Sequence, residues 1–489
     1  MTYPATLKFK YLETVHDDYA ASINALRRID LLTKGGHQLE KNLELFLPKR
    51  PGEEPDVYEI RLTKFNYLNI LGSAINQQVS RVSNASIAVS GIDDDDVFWS
   101  SFREDTGFNG RSEKELISHI FREALKFKKC YLHIDKSRSE VQPINRAQEQ
   151  LLGLRPYVVC YSPFQVTDWY EDNKLRWIKV RQQNKTQPVP TQEPQIIVTW
   201  KFIDERSVAT YAAVVELDKH GKIEKVNGEA VNDETVISLQ SEVVHGLDSI
   251  PVIKWELPDN LWVADLAYPK ALEHLKTEHT RHDMLTLAYF QRTYKKTLLP
   301  DGDLSETFTE VEPIKTGLQH VLELEKFEWN EPQGTIIGHI NETLRSIKEE
   351  VRELVSLGGG SITQSAVQQS GESKAMDFVK QEAILREYGA MLCQVYQQVL
   401  YLVSKSAGLA NPEGISVTGL ANFENDTLES LISKVVELTG VDFTTLRANL
   451  PPTAYKLTYA QIISLLVGNL SAEQQQMVAD EINQMLEGG

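Results

Sequence analysis

The side chains best placed to do chemistry lie in one short stretch, Glu273-His274, Glu278-His279 and His282-Asp283. On a helix Glu278 faces His282 and His279 faces Asp283 at i,i+4, a spacing that can hold a divalent metal for hydrolysis. The stretch is not His-Glu-x-x-His, and nothing obvious elsewhere supplies the remaining ligands or a base. The preferred reading is therefore a polar helix face, solvated or turned toward another subunit. No catalytic residue, metal or cofactor is assigned.

Other chemistries fail on pattern. There is no Gly-x-Ser-x-Gly elbow, no local Cys-His signature and no Walker motif. The run Asp93-Asp94-Asp95-Asp96 lacks the alternation and terminal Glu of a calcium loop and reads as a solvated loop. Cys130, Cys160 and Cys393 are far apart and form no CxxC pair. Neither a disulfide framework nor a zinc site is indicated, and a reducing compartment fits.

The 489 residues are 41% hydrophobic and 25% charged, an ordinary globular balance. A formal charge of -18 argues against capture of nucleic acid by a basic surface. Acidity serves solubility, and it would also let a polyanion slide along a wall without sticking. The N-terminus lacks a signal-peptide core, and no apolar run approaches a bilayer span, so a cytosolic protein is expected.

The elements that must position these groups divide the chain. Helices are expected over 17–30, 64–82 and 113–128, and the three prolines and glycine between Leu47 and Pro55 argue against a regular element there. From about 155, segments 157–161, 175–181, 195–202, 209–217 and 235–239 read as an antiparallel meander. Helix returns over 266–294, followed by a mixed stretch with a strand-like 319–325. Two long helices, 337–357 and 372–406, flank a loop rich in glycine and glutamine, and four helices are expected between 426 and 486. The fold class is α+β, mainly helical.

The helix before the loop carries three stripes. Ile340, Leu344, Ile347, Val351, Leu354 and Val355 form an apolar arc. Arg345, Lys348 and Arg352 are basic, and Glu342, Glu349, Glu350 and Glu353 acidic. Read alone, this is an ordinary amphipathic helix with a weak Arg345–Glu349 pair. In a ring, the basic side of one subunit would meet the acidic side of the next. The loop residues Gly359, Gly360, Ser361, Thr363, Gln364, Gln368 and Gln369 read by themselves as a flexible, uncharged linker.

Nearly the whole chain resembles the portal proteins of tailed bacteriophages. The resemblance is carried, in order, by Phe46-Leu47-Pro48-Lys49 with Pro51-Gly52-Glu53 and Tyr58-Glu59-Ile60-Arg61-Leu62, by Arg155-Pro156-Tyr157 with Trp169, and by His245-Gly246-Leu247 before Ile250-Pro251-Val252. Ser370-Gly371-Glu372-Ser373-Lys374-Ala375, at the opening of the longest helix, completes it.

The resemblance implies a portal fold with a wing over 1–261, a first stem helix over 262–294 and a clip over 295–334. A second stem helix over 335–357, a tunnel loop over 358–371, a long wing helix over 372–407 and a compact helical crown over 408–489 would follow. It further implies a ring of about twelve subunits at the capsid vertex, assembled in the host cytoplasm and free of membrane. That ring would be the channel for packaging and ejection of double-stranded DNA. Implied partners are the large terminase subunit, which would hydrolyse the ATP, a head-to-tail adaptor and the major capsid or scaffolding protein.

In that frame the seven loop residues line the channel. Arg345, Lys348, Glu349, Arg352 and Glu353 make intersubunit contacts, and Asp301, Asp303, Glu306 and Glu310 dock partners at the clip. The alternatives are another ring or baseplate protein of a virion and, least favoured, a metal-dependent hydrolase using the 274–283 cluster.

Overall fold

The computed structural model describes residues 3–85, 87–92, 96–137, 148, 152–187, 189–191, 193–218, 221–290, 293–294, 327–328, 335–356, 371–409 and 411–420. The chain divides into two compact units, Met1–Ala421 and Asn422–Gly489. The helices expected between 426 and 486 lie outside the described residues.

The helices are α1 (Phe9–Glu13), α2 (Asp17–Lys34), α3 (Gly36–Glu40), α4 (Pro55–Thr63), α5 (Ile70–Asn84), α6 (Val97–Glu104), α7 (Glu113–Phe127), α8 (Val263–Phe290), α9 (Thr335–Ser356) and α10 (Gly371–Ser406). Helix α7 shows how locally such elements are specified. The Ser112 N–H donates to Glu115 Oε2 at 2.8 Å and the Glu115 N–H returns to Ser112 Oγ at 3.4 Å, closing a capping box. Its apolar stripe, Leu116, Ile117, Ile120, Phe121, Ala124 and Leu125, is buried throughout.

Two helical expectations shift. Pro55 does not merely end a loop; it opens α4, where a missing N–H costs nothing. The preceding loop folds back onto this helix. Arg61 grips Glu53 with two bonds of 2.7 and 2.9 Å and reaches the Pro48 carbonyl at 3.0 Å, while the Tyr58 hydroxyl donates to the Leu47 carbonyl. The helix expected from 64 starts only at Ile70, because the Asn69 side chain accepts the Gly72 N–H and caps the first turn there.

The strands are β1 (Thr6–Lys8), β2 (Ile87–Ser90), β3 (Lys129–Lys136), β4 (Pro156–Tyr161), β5 (Val166–Glu171), β6 (Leu175–Thr186), β7 (Gln195–Asp204), β8 (Ser207–Leu217), β9 (Ile223–Val226), β10 (Glu229–Ala230), β11 (Val236–Val244), β12 (Val252–Glu256), β13 (Thr293–Tyr294), β14 (Phe327–Glu328) and β15 (Ser416–Gly419). An eight-stranded sheet runs β1-β11-β8-β7-β6-β5, with β9 and β10 attached beside β8. Its β5 to β8 portion is a meander. The segment expected to begin that meander, β4, belongs instead to a second sheet ordered β12-β3-β4. It pairs residue for residue with β3, from Tyr131↔Tyr161 to Lys136↔Pro156, and a turn at Ser162 then hands the chain to the larger sheet.

The two sheets share a core of Tyr131, Tyr161, Val166, Trp169, Ile178, Val180, Ile203, Val208, Ile250 and Val252. An N-terminal strap is fixed to the large sheet by buried polar contacts. Lys179, fully buried, donates to Thr14 Oγ1 at 3.2 Å and Asp168 Oδ2 at 3.3 Å, and Glu13 accepts from Arg181 and from the Trp200 indole. Each bond satisfies a group whose burial would otherwise be costly.

Helix α10 packs on the smaller sheet and on α7. Its Tyr388 hydroxyl donates to the Leu261 carbonyl at 2.7 Å, just before α8 begins, and its ring meets Phe121 edge-on at 5.1 Å. Strand β15, in the stretch assigned from sequence to the crown, pairs antiparallel with β2 from Ser416↔Ser90 to Gly419↔Ile87. Among the described residues no helix is long and apolar enough to cross a membrane.

Candidate functional site

Helices α8 and α9 form an antiparallel arm. Lys270 Nζ lies 2.8 Å from Glu350 Oε2 and Arg281 Nη1 donates to Asn341 Oδ1 at 3.4 Å, so early α8 meets late α9 and the reverse. At 1.5 Å per residue the two span roughly 42 and 33 Å. The Lys270–Glu350 pair is partly exposed and worth at most about 1 kcal/mol. Leu344, Ile347, Val351 and Val355 are all buried, each contributing roughly 1.5–3 kcal/mol, so the apolar arc read from sequence holds the arm together.

The arm is closed at its far end. Helix α8 stops at Phe290 rather than continuing to 294, because Thr293 and Tyr294 are extended and pair with Glu328 and Phe327. The chain between 294 and 327 therefore leaves and returns at one place. Asp301, Asp303, Glu306 and Glu310 lie within it, outside the described residues, as does the strand-like 319–325. So do the loop residues Gly359, Gly360, Ser361, Thr363, Gln364, Gln368 and Gln369.

The 274–283 cluster is not the open polar face expected from its sequence. His274, Glu278 and His279 are buried, turned inward against the segment that joins α4 to α5. Glu278 accepts from Arg281 at 2.6 and 3.1 Å and from Asn66 at 3.0 Å, and Asp283 is flanked by Lys64 at 3.4 Å and Arg50 at 3.6 Å. Both carboxylates are thus neutralised by cations of the same chain. His274 packs edge-on against Tyr67, and burial pushes both His274 and His279 below the ordinary histidine value. No group of three or more His, Cys, Asp or Glu poised to hold a metal occurs among the described residues.

The charges of α9 part company. Arg345 and Glu349 face outward, with side chains 74% and 45% exposed, and form a 3.4 Å pair along the helix. Arg352, two turns further, is also exposed, whereas Lys348 and Glu353 are half-buried. Glu350 is withdrawn from the acidic stripe by Lys270, which holds its carboxyl below the usual range. What remains open is a strip of Glu342, Arg345, Glu349 and Arg352, with the Glu342 side chain 83% exposed.

Two relationships escaped the sequence. The partners of the buried cluster, Arg50, Lys64 and Asn66, come from more than two hundred residues away, although the i,i+3 spacing of Glu278 and Arg281 was a visible signal. Cys130 and Cys160, thirty residues apart, are brought together by β3 and β4. A hydrogen bond between the two thiols, with His119 nearby, draws Cys160 down and drives Cys130 up.

No family model matches the chain, and no curated protein does. Among solved structures, a chain from the virion of a native gene transfer agent particle aligns over 93% of this chain and 98% of its own, with 11% identity and a TM-score of 0.34. A chain from the neck of an empty gene transfer agent particle computed with C6 symmetry aligns over 82% and 95%, with 12% identity and a TM-score of 0.37.

Proposed function

We propose that this chain is a portal subunit: one member of a ring, with about twelve copies in the virion, through which double-stranded DNA enters and leaves a capsid. The observation that carries this reading is the antiparallel arm of α8 and α9, closed at its far end by β13 and β14 and joined to the 36-residue α10 by a glycine- and glutamine-rich link. The sequence resemblance to tailed-phage portals assigns the same parts in the same order. The closed end would be the clip, where the large terminase subunit docks first and the head-to-tail adaptor later. The link would be the tunnel loop.

The mechanism is mechanical. Apolar packing makes each arm a stiff lever, and the open strip of Arg345, Glu349 and Arg352 supplies opposite charges to a neighbour across a rotational contact. Tilting α9 would move its attached loop in the channel. Glycines give that loop freedom, and its uncharged hydroxyls and amides exchange phosphates without the counterion release that would hold DNA fast. ATP hydrolysis belongs to the partner motor.

Mass and symmetry test the reading. Native mass spectrometry with negative-stain class averages is expected to give closed rings of about twelve copies with a hole wide enough for a duplex. Monomers or dimers at every concentration, with scaffolding protein co-expressed as well as without, would overturn it. Rings that exclude DNA would move the assignment to another ring component of a virion.

A further inference from the structure

The phase of the smaller sheet brings two of the three cysteines side by side. The Ile134 N–H donates to the Pro251 carbonyl at 2.9 Å and the Leu257 N–H to the Lys128 carbonyl at 2.8 Å, so the even-numbered residues of β3 bond toward β12. On the β4 side the Ser137 N–H bonds to the Arg155 carbonyl, while the Val158 N–H turns away from β3 to the Thr106 carbonyl. Leu132↔Cys160 is therefore a non-hydrogen-bonded pair, the kind in which facing side chains approach most closely. Cys130, two residues from Leu132, stands on the same face and diagonal to Cys160.

Tyr131 and Tyr161 belong to the core that the two sheets share, so alternation along each strand turns Cys130 and Cys160 to the opposite face. Cys130 is fully buried there, whereas Cys160 keeps part of its surface open. Contact with the Cys130 thiol and with the His119 imidazole of α7 favours the Cys160 thiolate, and Glu123, one turn further along α7, opposes it. The same thiol contact, together with burial, keeps Cys130 protonated. Cys393 is placed differently: it is buried, its thiol donates to the Gly419 carbonyl at 3.6 Å, and burial pushes it up.

We propose that Cys160 and Cys130 form a peroxide-sensitive dithiol, with Cys160 the attacking sulfur and Cys130 the resolving one, whose product is a disulfide tying β3 to β4. His119 takes the Cys160 proton. Cys160 Sγ then attacks the terminal oxygen of a hydroperoxide, forming an S–O bond as the O–O bond breaks, and the departing oxygen collects the proton from His119 and leaves as water or an alcohol. Cys130 Sγ attacks the sulfur of the resulting sulfenic acid. The S–S bond forms, the S–O bond breaks, and the Cys130 proton leaves with the hydroxyl as water. Two electrons pass from the sulfurs to the peroxide, and a dithiol reductant reverses the step. The inference stands apart from the ring assignment, since it needs only β3, β4 and α7.

The test is peptide mapping by mass spectrometry on the reduced full chain, treated with hydrogen peroxide and then blocked with N-ethylmaleimide. A Cys130–Cys160 link within one subunit is expected, reversible by dithiothreitol, with Cys393 still alkylated. In Cys130→Ser, dimedone should label Cys160 and longer exposure should carry it to sulfinic acid; in Cys160→Ser, Cys130 should stay reduced. His119→Gln should slow alkylation of Cys160 several-fold at neutral pH and move the midpoint of its pH profile upward, which lost packing alone would not do. No link in the folded chain, a link that forms only in urea, or Cys393 oxidised as fast as Cys160 would overturn the dithiol. Dimedone on Cys130 instead of Cys160 would overturn the assignment of roles, and an unmoved pH profile the part given to His119. Should the serine variants not fold, the map of the wild-type chain decides alone.

Discussion

A Cβ on Gly389 would lie 1.9 Å from the carbonyl oxygen of Leu420. Helix α10 and the chain leaving β15 thus meet backbone to backbone, and Leu420 is itself buried with a φ of 49°. An alanine inside a helix ordinarily stabilises by about 1 kcal/mol over glycine. Here Gly389→Ala is expected to destabilise by about 1–3 kcal/mol through overpacking, lowering the midpoint of thermal unfolding. A raised midpoint would mean that the close approach is absent in solution.

The Arg61–Glu53 fork predicts an acid response. Hydrogen bonds from the Arg61 guanidinium hold the Glu53 carboxyl down at about 2. Its folded value is depressed, so its contribution is complete above the ordinary carboxylate value and is lost as pH falls through about 2. Amide exchange across 48–58 should rise in that window. Arg61→Lys keeps the charge but not the fork, and should move the onset to higher pH.

His274 and His279 predict a milder one. Both are buried and depressed, so stability is complete above the ordinary histidine value of 6.5 and declines as pH falls below it. The facing groups set the scale: Glu278, Lys348 and Arg281 around His274, and Asp283, Arg61, Arg50 and His282 around His279. Urea midpoints between pH 7.5 and 5 should fall in the wild type, and fall less in His274→Gln/His279→Gln.

The exposed strip on α9 separates folding from assembly. The Arg345–Glu349 pair contributes less than about 0.5 kcal/mol within one chain. Arg345→Glu/Arg352→Glu should therefore leave the circular dichroism and thermal midpoint of the subunit nearly unchanged while reducing closed rings several-fold by native mass spectrometry. Restored rings on mixing with a Glu349→Arg subunit would place the contact across the interface.

Channel contact predicts a polarity effect. In Gln364→Lys/Gln368→Lys, added positive charge would retain phosphates, so single-molecule packaging velocity should drop and the drop should lessen as salt rises. Unchanged velocity at low salt would remove these residues from the DNA path.

Periodicity made α7 and α9 legible because each buries one stripe and little else competes. Pro55 concealed α4, since a proline that opens a helix and one that breaks it look alike without the turn around them. The strands β3 and β12 stayed hidden for a different reason. Cys130 pairs with Trp255 across more than a hundred residues, and no local pattern announces such a partner. The same distance misled the reading of Glu278 and Asp283. Their spacing along one helix was plain, and Arg281, which holds Glu278, lies on the same helix, but the cations beside Asp283 come from Arg50 and Lys64 and the amide on Glu278 from Asn66. Burial on the inward side was decided by packing, not by the helix itself.

The two rungs at Thr293↔Glu328 and Tyr294↔Phe327 make the chain between them a cassette. Its ends are set by the arm, so its length and sequence can change without moving α8 or α9. Doubling such an insertion costs only about 0.6 kcal/mol in closure entropy. On the portal reading proposed above, the docking end could then vary at little expense to the lever, and replacing residues 295–326 with an unrelated sequence should leave the α8–α9 arm intact.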